Sequence, residues 1–567
     1  MKTIFNKFLV LSLSLGMLAS CDDAVLDEVP LDFYSPESAF SDVSGFEAAL
    51  TGLYAKERNL YYAGGDVNFS LHFGTDTFTE ARYVGFGTDE KIIDFQKAFA
   101  PTKYVPKYYW DENYKIISAA NVIIKGAEVS TLPQASLAPL VVEAKFFRAK
   151  AYRDLVYLYG DVPLTLEPVT VRKDDFVRAP KKDVLEQMVN DLQEAAEKLP
   201  AISTVKDGRI SNVVAYHYLA ETLISLGRNA EAVIALNKVI GDPNVKLMTA
   251  RFGRRSSVFG KDVYWDLFQR GNQNRASGNK EALWVAQIQE DVPGGFVDTK
   301  GRNNNVLERM HVPAIWSLTD KQGKPGYLGR ASSDNVGGFG VSFLQPTPYL
   351  DTTVWPAGWS SDLRCNNANF LKDSFYDNPA SASFGKSIND PLHRSSNRGT
   401  TPASGSWRFY RWFVKATTPG DHPTLLMDPT QVNGFNQGGS GGTYHDMYIL
   451  RLSESLLLRA EAYTNLGNTT AAAADINVVR NRALAIPVTP AEVTIDYILD
   501  ERARELCLEE QRSITLRRLG KFVSRVILYN PYSKPFVLPY HELMPIPQNT
   551  IEANLGAVMP QNPGYAK

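Results

Sequence analysis

Apolar residues recur every three or four positions near both ends of this 567-residue chain and lose that rhythm between about 245 and 445. No other feature constrains the fold as much, because each amphipathic helix must bury its apolar stripe against a neighbour. Between 143 and 160, Ala144, Phe147, Ala151, Leu155 and Leu158 share one helix face, Gly160 supplies a stop and Pro163 prevents continuation. Residues 183–199 repeat the pattern with Val184, Met188, Leu192, Ala195 and Leu199, closed by Pro200. Ser211-Asn212 stands where a cap belongs, ahead of a helix through Ala215, Leu219, Leu223 and Leu226. Another follows at once through Ala230, Val233, Ile234, Asn237 and Ile240.

That last pair has the form of a tetratricopeptide unit. A helix, a tight Leu226-Gly227 turn and a second helix opening with Ala230 and Ala232 let two helices approach closely. Leu458 to Tyr463, Leu466-Gly467 and Ala471 to Ala474 repeat the theme. A further helical segment over roughly 495–519 carries Glu501, Arg502, Arg504, Glu505, Glu509, Glu510, Arg512, Arg517 and Arg518. Such a run reads as a solvated face laced with neighbouring ion pairs.

The middle is dense in Gly, Asn, Ser and Pro, with strand-like runs such as Ala282 to Ala286. Seven of the eight Trp fall between 265 and 412, which places the expected recognition surface there. Loops on a rigid scaffold are where binding surfaces tend to lie.

Lys+Arg 60 against Asp+Glu 62 argues against a nucleic-acid binder that relies on a basic surface. Three cysteines cannot build a disulfide framework, so the fold must stand on packing. Cys507 lies in a helical pattern as a small apolar residue, and neither it nor Cys365 has paired-thiol or metal spacing. At the N-terminus, Lys2 and Lys7 flank an apolar run from Phe8 to Leu18, too short to span a bilayer and fit for a secretory signal. Leu18-Ala19-Ser20-Cys21 resembles a bacterial lipobox, so residues 1–20 are expected to be a signal peptide and Cys21 a lipidated first residue. The alternative is a plain signal peptide followed by an incidental cysteine.

Several chemistries lack their residues. None of the seven histidines sits three or four from another and no HExxH occurs. Gly438 to Gly442 is followed by no phosphate-reaching Lys, Gly338-Phe339-Gly340 lacks the third glycine of a dinucleotide fold, and no GxSxG elbow is present. No cofactor or metal is expected.

Three C-terminal segments carry a resemblance: Leu458 to Tyr463 with Ala474 to Ala483; Ile498 to Arg518; and Leu543-Met544-Pro545-Ile546-Pro547 with Asn554 and Gln561-Asn562-Pro563-Gly564-Tyr565. In the N-terminal half Trp110, Tyr114, Ile117, Ala120 and Asn121, then Glu143 to Tyr152 and Gly160 to Leu164, agree. Together they resemble the SusD/RagB family of outer-membrane nutrient-binding lipoproteins.

The resemblance implies a mainly α body from 21 to 567, with about eight tetratricopeptide-like helices over 36–240 and 445–567. It also implies an irregular ligand lobe with few short strands over about 245–445. A SusC-like TonB-dependent transporter is the implied partner and an oligosaccharide or polysaccharide the implied ligand, bound without catalysis by a protein lipid-anchored to the outer membrane and facing the cell exterior. A peptide ligand, as in the RagB branch, is the alternative, with Asn303-Asn304-Asn305 as its amide partners; a surface glycosidase is a remoter one. Arg459, Glu461 and Pro547 are implied scaffold residues.

A saccharide site needs flat aromatic platforms beside hydrogen-bonding side chains. The resemblance draws it from the loop before the Trp110 helix and from the middle lobe. Asp76, Arg82, Tyr83 and Phe86 are the candidates on the first, and Trp316, Tyr327, Trp355 and Trp359 on the second. Trp110, Trp265, Trp284, Trp407 and Trp412 are expected in the core.

Overall fold

The computed structural model describes residues 40–61, 66–82, 91–289, 305–329, 337–356, 358–395, 397–399, 406–417, 420–422, 427–428, 430, 434–435 and 443–566. The expected signal peptide, Cys21, Tyr83 and Phe86 lie outside the described residues.

The fold is mainly α. Its principal helices are α1 (Val43–Tyr61), α2 (Tyr104–Val129), α3 (Gln134–Tyr159), α4 (Lys181–Lys198), α5 (Asn212–Ser225), α6 (Asn229–Ile240), α7 (Leu452–Asn465), α8 (Thr469–Arg482), α9 (Ile495–Leu506), α10 (Arg512–Arg518) and α11 (Phe522–Tyr529). From α2 to α8 each packs on the next, and α1 lies against α2 and α3. The α6–α7 contact joins helices separated by the whole middle of the chain. Arg459 donates to Asn237 Oδ1 at 2.7 Å across this seam, and beside it His217 Nδ1 of α5 lies 2.9 Å from Ser455 Oγ of α7.

The local chemistry explains the packing. Ala144, Phe147, Ala151, Leu155 and Leu158 are all buried on one face of α3. Gly160 then takes φ +78°, which suits glycine and ends the helix. The two Leu-Gly turns share one geometry. Gly227 and Gly467 both adopt φ +76°. Arg228 N–H donates to Leu223 O at 2.8 Å and Asn468 N–H to Tyr463 O at 2.9 Å, the six-to-one bond that satisfies an orphaned helix-end carbonyl. Ser211 does precede α5, but its side chain makes no capping bond.

Sheets among the described residues are two-stranded and none closes. With β1 (Phe78–Glu80), β2 (Ala282–Ala286), β3 (Leu344–Pro346), β4 (Phe370–Leu371), β5 (Trp412–Phe413) and β6 (Met447–Arg451), the pairs are β1–β3, β2–β6 and β4–β5, all antiparallel. The β2–β6 pair ties the place where the chain leaves the helical stack to the place where it returns. The lobe has its own small core of Val312, Ile315, Leu318, Tyr376, Ile388 and Trp412, with their neighbours.

The charged segment 495–519 departs from expectation twice. It is two helices, because Leu508 sits at φ +66° and turns the chain between α9 and α10. Its charges are buried, not solvated: Glu501 and Glu505 are fully enclosed, and Arg502, Arg504, Arg512 and Arg517 nearly so. Glu505 accepts from Arg451 at 2.5 Å and Arg364 at 3.1 Å and also pairs with Arg482. Glu501 accepts from Arg364 at 2.7 Å, Arg480 at 2.8 Å and Arg504 at 2.9 Å. Burial alone would raise both carboxyls; for Glu505 the guanidinium groups of Arg482, Arg451 and Arg364 outweigh it and hold the carboxyl far below the ordinary range. The Glu501 carboxyl is likewise lowered to about 2. Arg459 and Glu461 have scaffold partners too, Asp475 and Arg518.

Candidate functional site

The loop bearing Arg82 and the turn bearing Trp316 meet at the segment Ser406–Arg411. Backbone position is fixed by Ala314 N–H, which donates to Trp407 O at 3.2 Å, and by Ala81 N–H, which donates to Phe343 O at 2.9 Å. The exposed Arg82 guanidinium lies 5.3 Å from the Trp407 ring centre, and that of Arg408 lies 4.0 Å from it. Trp407 is half-buried at the edge of the lobe core, not enclosed within it as expected: it packs against that core and also meets these two cations. Trp316 is also half-buried; its ring stacks on Phe339 at 5.7 Å and its indole N–H donates to Gly340 O at 2.9 Å. The N–H is spent in positioning the ring. Burial and the nearby Arg82 lower the Arg408 guanidinium from its ordinary value, a sign of like charges held together.

Beside this face lies a cleft of about 660 Å³. Its walls include Gln345 and Pro346 of β3, Asp351, and Ser406, Phe409, Tyr410 and Arg411. Ser406 Oγ donates to Gln345 Oε1 at 3.1 Å, and Tyr410 O–H donates to His311 O at 2.6 Å, which seats the segment on the lobe core.

Two of the expected ligand residues are enclosed instead. Asp76 is fully buried: its carboxylate accepts from Arg512 at 2.9 and 2.7 Å and from Arg525 at 2.6 Å. Burial opposes its charge, yet Arg512 and Arg525 lower its carboxyl to about 2. Tyr327 packs in the lobe core with its hydroxyl 2.9 Å from Ser374 Oγ. Trp355 donates its indole N–H to Leu350 O at 2.8 Å. Trp359 lines a different cleft, of about 300 Å³, with Arg480 and Arg504 at 4.3 and 4.9 Å from its ring. Asn303 and Asn304 lie outside the described residues, while Asn305 is buried and donates its amide to His445 O at 2.9 Å. Trp110, Trp265, Trp284 and Trp412 are buried in the core.

The residues missed were those of Ser406–Arg411. Their signal was there in Trp407-Arg408-Phe409-Tyr410-Arg411-Trp412, an alternation of cations and aromatic rings. Among the described residues no cluster of His, Cys, Asp and Glu could hold a metal, and no helix is long and apolar enough to cross a membrane.

The helical stack with an inserted, loop-built face places this chain in a known class of binding scaffold. A solved laminarin-binding SusD-like protein superposes with a TM-score of 0.64 at 22% identity, covering 92% of this chain and 99% of its own. A SusD superfamily protein from Bacteroides vulgatus superposes at 0.66 and 18% identity, over 93% and 100%. The family model described as the SusD family matches residues 426–565, and one described as starch-binding, associating with outer membrane, matches 41–223. SusD-like protein P2 of Formosa agariphila is 24% identical over the full length of both chains. The starch-binding protein SusD of Bacteroides thetaiotaomicron is 36% identical over 124 residues, 21% of this chain and 22% of that one. The chain belongs to the SusD/RagB family.

Proposed function

We propose that the protein captures oligosaccharides or polysaccharides at the outer-membrane surface and delivers them, unaltered, to a SusC-like TonB-dependent transporter. The observation that carries this is Trp407, a half-buried indole at the meeting of the loops that hold Arg82 and Trp316. An accessible ring stacks on the apolar C–H face of a sugar, and the guanidinium groups beside it hydrogen-bond at the sugar's edge. Relatives named for starch and laminarin binding favour the same ligand class. Residues 21–567 act as one body, with the lobe of about 245–445 supplying Trp316 and Trp407. Cys21 carries the lipid that anchors it, facing outward; Cys21→Ser is expected to abolish fatty-acid labelling. The transporter is expected to co-purify with the protein from detergent-solubilised outer membranes.

Isothermal titration against host and plant oligosaccharides tests the central claim. Binding by at least one, weakened about tenfold by Trp407→Ala in a variant that still unfolds cooperatively, is the expected result. Silence across the panel sinks the reading. Mass spectrometry of peptides retained from a tryptic digest would reveal a peptide binder instead. Release of new reducing ends from a bound chain would reveal a glycosidase, although the 660 Å³ cleft has Asp351 as its lining carboxylate where that chemistry uses two.

A further inference from the structure

The cleft beside Trp407 has an uneven charge. Lys372, Arg394, Arg398 and Arg411 line it, with Asp351 as the carboxylate among them. Arg411 Nε lies 3.6 Å from Asp351 Oδ1, a long ion pair. Arg398 donates through Nη1 to Ile388 O and Asn389 Oδ1, both at 2.9 Å, and stacks 4.1 Å from the Phe409 ring centre. Those bonds hold the guanidinium in place without neutralising it. Among the described residues, Lys372, Arg394 and Arg398 form no ion pair. Burial and the neighbouring Arg394 depress the Arg398 guanidinium to about 10, against the smaller opposing pull of Asp373.

The rest of the molecule is not built this way. The whole chain carries a net charge of −2, and buried guanidinium groups such as Arg364 and Arg451 are matched with carboxylates. A cleft with low-dielectric walls and one sign of charge focuses its field on whatever enters. A guanidinium fork matches a carboxylate or sulfate ester in two parallel bonds. The half-buried Tyr532 and the exposed edge of Pro348 line the same cleft and offer apolar surface to a ring.

The geometry points to an acidic saccharide, a chain bearing uronate carboxylates or sulfate esters, as the occupant of this cleft. This inference rests on the saccharide-binding reading above and narrows it to one class. Neutral and charged forms of one backbone test it: dextran against dextran sulfate, and methyl-esterified against de-esterified polygalacturonate. Affinity electrophoresis of the purified protein is expected to show at least tenfold tighter retention by the charged member of one pair, and which pair distinguishes sulfate from carboxylate. Added salt is expected to weaken that retention. Arg394→Gln/Arg398→Gln is expected to weaken it at least tenfold. The exposed Arg394→Gln alone serves, with a severalfold loss, if the double variant melts early.

Binding of the neutral members as tightly as the charged ones overturns the inference and leaves saccharide binding intact. Equal retention by polyglutamate overturns it too, since any polyanion would then suffice. So does charged binding that both variants leave unchanged. Silence toward every saccharide overturns both readings.

Discussion

Arginine does opposite work in two regions of this protein. Around α9, Arg364, Arg451, Arg480 and Arg482 are enclosed and matched by Glu281, Glu501 and Glu505. In the lobe cleft, Arg394 is exposed and Arg398 and Lys372 are half-buried, and among the described residues none of the three forms an ion pair. A buried ion must find its counter-ion inside the protein, because several kcal/mol of hydration are lost per charge on enclosure. A cation at a wet surface carries no such demand and is free to serve an outside anion. A charged residue's purpose is therefore read from its partners, not from its type.

The sharpest way to break this comparison is Glu505→Gln, which leaves Arg364, Arg451 and Arg482 without their shared carboxylate. Urea unfolding is expected to show a loss of about 3–5 kcal/mol. A loss under about 1 kcal/mol would mean the network is not the keystone it looks to be.

Acid should reach the same region next. The folded-state carboxyls of Asp76, Glu221 and Glu501 are each lowered to about 2 from ordinary values of 3.8 to 4.5. A depressed carboxyl contributes stability that is complete above its unfolded value and disappears as pH falls through its folded one. The unfolding free energy from urea titration is expected to drop as pH falls from about 4.5 toward 2, by about 2–3 kcal/mol for each group, and the midpoint falls with it. The buried Asp446 carboxyl, raised to about 6, acts oppositely, and its own destabilising effect fades as pH falls from about 6 to 4. A midpoint that is flat between about pH 4.5 and 2 would contradict the pairing.

The smallest effect is expected in the cleft. Arg394→Gln should change unfolding free energy by no more than about 0.5 kcal/mol, with any gain coming from relief of its repulsion of Arg398. Calorimetry that found a loss as large as that of Glu505→Gln would erase the contrast.

The stack was legible in the sequence because its signals are local. The α3 stripe repeats every three or four residues, and the Gly160 stop and both Leu-Gly turns depend on residues within two turns of one another. The charged run of α9 and α10 was misread because its partners are remote: Glu505 meets Arg364 across 141 positions, and Asp76 meets Arg512 across 436. Spacing cannot report whether a charge faces water or a counter-ion brought in from elsewhere. The candidate site suffered the same way. Trp407 looked like strand core until the Arg82 loop arrived beside it.

The seam between α6 and α7 has a consequence of its own. These helices lie together although residues 241–451 intervene, and β2 and β6 pair at the base of that excursion. Both ends of the excursion are thus pinned at one spot, and the cost of closing a loop grows only slowly with its length. The loops of the segment can be lengthened or trimmed so long as Glu281, Arg364 and Lys415, which it sends down to pair with the helices, stay in place, which frees the capturing surface to diversify on a chassis that stays put.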